Sequence, residues 1–414
     1  MVYVLNRDGK PLMPTERHGW VCRSLKSGRV VVVNRCPFTV QLTYDCGDGV
    51  QPITLGVDAG SQHIGLSATT QKKELYVAQC GIRHDVTELL STRRELRSAR
   101  RNRKLRHREA RFDNRKKGEG WLAPNIRCKI DSHLRIIKKI HAILPISKII
   151  VEVAQFDAQK IKNPAITGTD YQQGEQMGFW NVREYVLARD GHECQNCHGK
   201  SKDKILNVHH LESRKTGGDA PNNLITLCET CHKAYHRGKF ELNIKRGTSL
   251  RDAACMNIMR WSVYNQLKAI YADVRLTYGY ITKNTRIRNG IAKTHASDAF
   301  CISKNIRAIR NGEIHLHRFV RRHNRQIHKF TILKGGIRKA NQAARYVKGF
   351  QLFDKVQYKG QECFVAGRRT SGSFILKDFE GNTINAGAGW KRLALVERST
   401  TLLNERRRCD SSHG

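Results

Sequence analysis

The chain has 414 residues, enough for about two to four domains rather than one simple core. Lysine plus arginine number 75 against 36 aspartates and glutamates, a formal net charge of +39 that repels itself unless a polyanion is present. No run of about 18 apolar residues is available to span a membrane and MVYVLNRDGK lacks the apolar centre of a signal peptide, so nucleic acid is the first candidate partner and an anionic membrane surface the second.

Residues 1–52 are mixed, with a proline-bracketed turn PLMP at 11–14 and an apolar strand candidate RVVVVN at 29–34. ITLGVDAGSQHIGLSATT, 53–70, reads as strand, Gly-Ser turn and strand, and ELYVAQCGI, 74–82, as a third strand. The stretch 93–117 has no proline or glycine and holds ten arginines, three lysines and three acids. Such a helix, polar all round, either bridges something or is a solvated charged helix. An amphipathic helix over about 132–144 leads into KIIVEVAQFD, 148–157, a buried strand by its apolar run. Polar linkers at 158–178 and 243–250 bracket a cysteine- and histidine-rich block. A helix over 251–271, a strand DVRLTYG and a helix from Thr294 follow. From 313 onward basic charge persists, and short strands alternate with glycine turns as in a small β-barrel, with Phe350, Phe353, Phe364, Phe374 and Trp390 as its candidate core.

Of the 13 cysteines, four form two Cys-x-x-Cys pairs, Cys194 with Cys197 and Cys228 with Cys231. The spacing suits two zinc knuckles closing one tetrahedral structural site in a reducing compartment; four unconnected buried cysteines are the plainer alternative. The zinc has no need of the adjacent His209 and His210, which point to opposite sides of a strand. His232 and His236 share one helical face and can chelate one ion. Either these histidines serve chemistry or the block is a zinc-knuckle binding module with incidental histidines.

Asp58 ends an apolar strand, Glu152 lies inside one, and Asp298 opens a helix three residues after His295. A carboxylate in an apolar strand is costly unless paired or bound to metal. Asp58 alone could be a turn residue and Asp298 a helix N-terminal charge.

The order of Cys, His209-His210, Asn223, Cys and His232 resembles the HNH, or ββα-metal, nucleases. That resemblance implies His210 as the general base, His209 and His232 as metal ligands with His236 a possible third, and Asn223 as the residue pinning the loop that carries the base. The strand-Asp, strand-Glu and helix-Asp set resembles the RuvC nuclease of the RNase H-like fold, with Asp58, Glu152 and Asp298 holding divalent ions and His295 assisting. Hard oxygen ligands imply magnesium or manganese.

With the whole order taken together, the chain resembles the IscB family of transposon-associated, RNA-guided nucleases related to the CRISPR type II effector. KPLMP and RKANQAARYVKGFQLFDKV, 338–356, carry the resemblance at the two ends. It implies an α/β multidomain protein whose RNase H-like RuvC core is split by an inserted zinc-containing HNH domain, with an arginine-rich bridge helix and a small C-terminal β-barrel-like domain. The implied segments are a PLMP domain (1–52), RuvC-I (53–92), the bridge helix (93–117), a helix and RuvC-II (118–157), a linker (158–178), the HNH domain (179–242), a linker with RuvC-III (243–312), and a region contacting RNA and the target-adjacent motif (313–414). The bridge helix would grip nucleic-acid backbone through Arg93, Arg94, Arg97, Arg100, Arg101, Arg103, Lys104, Arg106, Arg108, Arg111 and Arg115. Lys355, Lys359, Arg368, Arg369 and Lys377 are candidates for contacts in the last region, Arg368 and Arg369 above all, because the guanidinium fork can read guanine. The implied partners are an ωRNA guide and a double-stranded DNA target, with no membrane, for a monomeric protein within a ribonucleoprotein of the prokaryotic cytoplasm or nucleoid. A protein-only nuclease and a non-catalytic RNA-binding protein are the competing readings.

Overall fold

The computed structural model describes residues 1–47, 49–101, 120–153, 181–212, 221–242, 251–321, 330–340 and 344–408. The expected linkers at 158–178 and 243–250 lie outside them. Two compact units result, one made of Met1–Ala154 and Met256–Gly414, the other of Gln155–Cys255.

The first unit begins with β1 (Tyr3–Leu5), α1 (His18–Lys26), β2 (Val30–Asn34) and β3 (Thr39–Leu42), a small sheet in the order β1-β3-β2. Its core is Val2, Val4, Val21, Val30, Val40 and Leu42, and Leu12 of the PLMP turn packs on it. The next three strands, β4 (Ile53–Ala59), β5 (His63–Thr69) and β6 (Glu74–Gly81), form an antiparallel meander. The basic helix α2 (Val86–Arg101) starts seven residues before the expected 93, and its expected continuation to 117 lies outside the described residues. Helix α3 (Pro124–His141) also starts earlier than the apolar pattern indicates, because Pro124 suits a first helical turn and Ile126 and Ile130 extend the buried stripe. It feeds β7 (Ile146–Val153), which lies parallel to β4.

The second unit contains α4 (Val182–Arg189), a hairpin of β8 (Leu206–His210) and β9 (Leu224–Cys228), and α5 (Glu229–His236). Among the described residues its core cluster is Cys194, Ile225, Leu227, Cys228 and Cys231, and Val186, Leu187 and Leu224 are also buried.

Helix α6 (Arg251–Ile270) then leads to β10 (Val274–Tyr278), α7 (Gly279–Arg288), α8 (His295–Ile302) and β11 (Glu313–Phe319). β10 pairs parallel with β7, and β11 parallel with β6. The main sheet is completed by β19 (Leu402–Arg408), antiparallel to β11, giving seven strands in the order β10-β7-β4-β5-β6-β11-β19. Helix α8 lies against β4 and β5 where they carry glycine. A Cβ on Gly56 would collide with the Ala299 carbonyl, and one on Gly65 with the His295 carbonyl. Those two glycines therefore let the helix approach the sheet closely enough to bring its first turn to the end of β4.

The short hairpin β12 (Phe330–Ile332) and β13 (Arg338–Ala340) precedes a separate antiparallel sheet of β14 (Lys355–Tyr358), β15 (Gln361–Arg368), β16 (Ser373–Lys377), β17 (Thr383–Gly389) and β18 (Ala394–Glu397). Its order is β17-β16-β15-β14-β18. Register shifts bend it, but among the described residues no ladder joins β17 to β18, so the expected barrel is an open sheet here. Phe350, Phe364 and Phe374 are buried as expected, whereas Trp390 is 39% exposed and Phe353 half-buried. Trp390 sits on a short 3-10 turn at the rim, where the chain leaves β17, and cannot reach the core. Among the described residues no helix is long and apolar enough to cross a membrane.

Candidate active and metal sites

In the first unit the parallel pairing sets Val57 of β4 opposite Val151 of β7, so Asp58 and Glu152 follow side by side at the same sheet end. Both are buried, Asp58 at 6% and Glu152 at 8% exposure. Asp298 comes to the same place on the first turn of α8, whose start is fixed by the Thr294 hydroxyl accepting the Ser297 amide at 3.0 Å. His295, one residue past that cap, places Nδ1 2.6 Å from Asp58 Oδ2. The four residues expected to act together are thus assembled from two strands and one helix.

Their electrostatics are those of crowded carboxylates. Burial raises the pKa of Glu152, Asp58 adds to it, and Arg260 opposes it. Burial and Asp58 likewise raise Asp298. The hydrogen bond to Asp58 holds the His295 imidazolium above its usual range. Each acid has a basic partner: the His295 imidazole for Asp58, Arg260 for Glu152 at 3.3 Å, and Arg286 for Asp298 at 3.1 Å. An all-oxygen donor set that is buried and mutually repelling fits hard divalent ions such as magnesium or manganese. Its oxygens are spread wider than the two tight donor clusters of the second unit, since each is drawn to its own partner.

Arg260 and Arg286 are not marked in the sequence. Arg260 on α6 is 8% exposed and also donates from Nε to the Ala59 carbonyl at 2.8 Å. It ties the end of β4 to Glu152. Arg260→Met should leave Glu152 buried without its cation and lower stability by about 3–5 kcal/mol, read from the denaturant midpoint. An unchanged midpoint would mean that the pair contributes nothing.

In the second unit the sulfurs of Cys194, Cys197, Cys228 and Cys231 all lie within 4.8 Å of one another. Cys197 Sγ and Cys228 Sγ are 3.8 Å apart. A tetrahedron with bonds of about 2.3 Å has edges of about 3.8 Å, so the set fits zinc. Cys228 also caps α5, its sulfur accepting the Cys231 amide at 3.4 Å. The Ser201 hydroxyl holds the Cys197 thiol below its usual range, towards the thiolate a metal needs.

A second cluster joins His209 of β8 to His232 and His236 of α5, with donor nitrogens again within 4.8 Å. His209 Nε2 is buried and has no hydrogen-bond partner. An orphaned buried nitrogen beside two more imidazoles is what a metal ligand looks like without its ion. Burial pushes His209 down to about 4, with repulsion from its histidine neighbours adding to it. Burial and His236 also lower His232. Neutral imidazoles are the ligating form. His210, next in β8, has the opposite orientation and is half-buried. Asn223 is fully buried, accepts the Glu212 amide at 2.9 Å and donates to the Glu212 carbonyl at 3.0 Å. It fixes the chain two residues beyond His210.

Elsewhere the expected contacts are uneven. Arg93, Arg94 and Arg97 are exposed on α2, and Arg100 and Arg101 end that helix. Arg103, Lys104, Arg106, Arg108, Arg111 and Arg115 lie outside the described residues. Arg369 is exposed, while Arg368 is half-buried and donates to the Arg345 carbonyl. Lys355 is 5% exposed and ion-paired with Glu362, so it belongs to the sheet interior rather than to a contact surface.

Two family models match the chain: RRXRR protein over residues 2–174 and HNH endonuclease over residues 194–238. A 66-residue stretch is 34% identical to "Anaredoxin" of Nostoc sp., covering 16% of this chain and 84% of that protein. Similar solved structures include Streptococcus thermophilus Cas9 in complex with the AGAA PAM, at a TM-score of 0.31 and 14% identity over 45% of this chain. The same Cas9 with the GGAA PAM gives a TM-score of 0.30 and 15% identity, also over 45% of this chain. The chain spans 26% of the length of those Cas9 chains. The chain thus joins an RRXRR segment to an HNH endonuclease domain, a pairing that supports an IscB-like RuvC/HNH nuclease.

Proposed function

We propose that the protein is an RNA-guided double-strand DNA endonuclease with two metal-dependent sites, directed by a structured ωRNA. The observation that carries the two-site reading is the convergence of Asp58, Glu152, Asp298 and His295 at one sheet end, in a unit separate from the HNH residues. The strand order supports it too. A three-stranded antiparallel meander with two parallel strands added beside its first strand is the arrangement of an RNase H-like core.

Within the HNH site, His210 accepts a proton from the attacking water as general base, and Asn223 holds the loop that presents it. His209, His232 and His236 would hold one divalent ion, and Asp58, Glu152 and Asp298 the ions of the RuvC-type site. Bound there, divalent ions supply Lewis acidity at the scissile phosphate. His295, hydrogen-bonded through Nδ1 to Asp58, is placed to stabilise negative charge or to give a proton at that second site. The four-cysteine set carries structural zinc. The arginine-rich helix grips phosphate backbone, and the region from 313 onward contacts the RNA and the short motif beside the target, with Arg369 its most exposed reading candidate. HNH cuts the guide-paired strand and RuvC the displaced one.

The protein, co-expressed with the DNA that flanks its gene, should purify with an RNA of defined sequence. That ribonucleoprotein should linearise, with magnesium, a plasmid bearing the matching target. RNA-free protein that cuts with equal efficiency would establish the protein-only nuclease instead, and RNA binding without cleavage the non-catalytic reading.

A further inference from the structure

Outside both candidate sites, the first unit carries a groove of about 940 Å³ lined by α3, Gln266 of α6, the end of β11 and Thr401. Trp121 and Phe319 line it together with Arg83, Arg127 and Arg135 and one carboxylate, Asp131. The volume is at the upper end of the range of about 300–1,000 Å³ for clefts that take a small organic group. It is far too large for a lone ion.

The three guanidiniums are not equivalent. Arg83 is held by Asp85 at 2.9 and 3.1 Å, so its charge is largely answered inside the protein. Arg135 donates to the Thr401 hydroxyl at 2.7 Å and to the Thr400 carbonyl and lies 5.8 Å from the Phe319 ring centre, which fixes its plane; both partners are neutral, so its charge is not answered by them, and a guanidinium has five N–H groups in all. Arg127 is exposed one helical turn after Ala123, on the same groove. Beside these cations, Trp121 has 49% of its surface open to solvent. An aromatic that large, on a groove rim lined with arginine, offers two different things to one ligand: a flat apolar surface and anion-binding forks.

A duplex shows only base edges and phosphates, so its rings could not use the indole. A run of acidic side chains could pair with the arginines but brings no ring of its own to the wall; a peptide would need an aromatic residue beside its acids. An unpaired nucleotide supplies both, a phosphate and a base with a π-face.

We propose that this groove is a binding site for an unpaired nucleotide of a single strand, its phosphate held by Arg127 and Arg135 and its base laid against Trp121. The inference rests on the reading of the chain as a nucleic-acid-guided nuclease. The strand is either the guide RNA or the displaced DNA, since both present the same chemistry.

The test uses the full ribonucleoprotein. In one arm the guide RNA carries 5-iodouridine, in the other the target DNA carries 5-iododeoxyuridine, and photo-crosslinked peptides are mapped by mass spectrometry. An adduct on the peptide containing Trp121 is expected in one arm, which then names the strand. In parallel, binding of a uridylate octamer is compared with that of an abasic octamer of equal charge. Trp121→Ala should reduce the preference for the base-bearing strand by about 5- to 150-fold, corresponding to roughly 1–3 kcal/mol for one stacked base. Trp121→Phe should retain most of it. Arg127→Glu should weaken both octamers alike. The inference is overturned if no adduct forms at that peptide in either arm, if Trp121→Ala weakens both octamers equally, or if polyglutamate of matched charge competes as well as the uridylate. Guided cleavage that persists beside those results shows that the groove reading alone has failed. A wild type that binds no nucleic acid in any arm removes both readings.

Discussion

Stripping zinc from the four cysteines should unfold the Gln155–Cys255 unit while leaving the main sheet of the other unit intact. Among the described residues the second unit has a modest apolar core. Its buried cluster is Ile225 and Leu227 with the cysteines themselves, Val186, Leu187 and Leu224 are buried besides, and its two described strands are five residues each. A two-stranded hairpin is marginal alone. Zinc binding by such sites contributes about 10–16 kcal/mol at neutral pH, far more than a core of this size supplies. Cys228 adds a second dependence, because the same sulfur that would bind the ion caps α5, the helix bearing His232 and His236. Loss of the ion therefore disorders the histidine cluster as well. Elemental analysis should find about one tightly held zinc per chain, and hydrogen exchange after chelation should show loss of protection in β8, β9 and α5 but not in β4–β7. Cys194→Ser should reproduce this and lose cutting of the guide-paired strand. Fully active protein without zinc, or a second unit still protected after chelation, would sink the structural role.

The sequence made the strands of the main sheet legible because ITLGVDA and KIIVEV are apolar runs of strand length between turns. It made the start of α8 legible because Thr294 has the chemistry of an N-cap. The spacing of the four cysteines was readable for the same reason that zinc needs it: two short turns each set two sulfurs on one ion. The three carboxylates could be proposed because burying a charge in IIVEVA demands a partner, yet the partners could not be named. Arg260 and Arg286 are two among 75 basic residues, and only the packing of α6 and α7 brings them to Glu152 and Asp298. Gly56 and Gly65 are equally silent in one dimension, since their function is the approach of a helix some 230 residues later. The strand β19 closes the main sheet from the far end of the chain, a pairing with no local signature. Trp390 and Lys355 went the other way. Aromatic and basic character argued for core and surface respectively, but a rim turn exposes the first and Glu362 neutralises the second inside the sheet.

Single substitutions at the two sites should yield complementary nickases: Asp58→Ala a protein that cuts only the guide-paired strand, His210→Ala one that cuts only the displaced strand. The two constellations share no residue and lie in different units, so each can fail without the other. Removing a general base such as His210 costs about 10²- to 10⁴-fold in rate. Removing Asp58 takes a carboxylate from the ion-binding set and the partner from His295, and several kcal/mol of lost transition-state stabilisation is about 10³-fold. Neither change should act by unfolding the protein. Asp58 helps to raise both Glu152 and Asp298, so Asp58→Ala relieves repulsion there while it removes the His295 hydrogen bond, and the two effects oppose each other in the melting temperature. His210→Ala leaves the four cysteines and Asn223 in place, so zinc content should stay at about one per chain, the stoichiometry of a four-cysteine site. With the target plasmid end-labelled on each strand in turn, each variant should release one labelled fragment and convert supercoiled DNA to open circle rather than linear product. The double variant should bind guide and target and cut neither strand. If either single substitution abolished cutting of both strands while target binding survived, the sites would not be independent and the division of labour between them would be wrong.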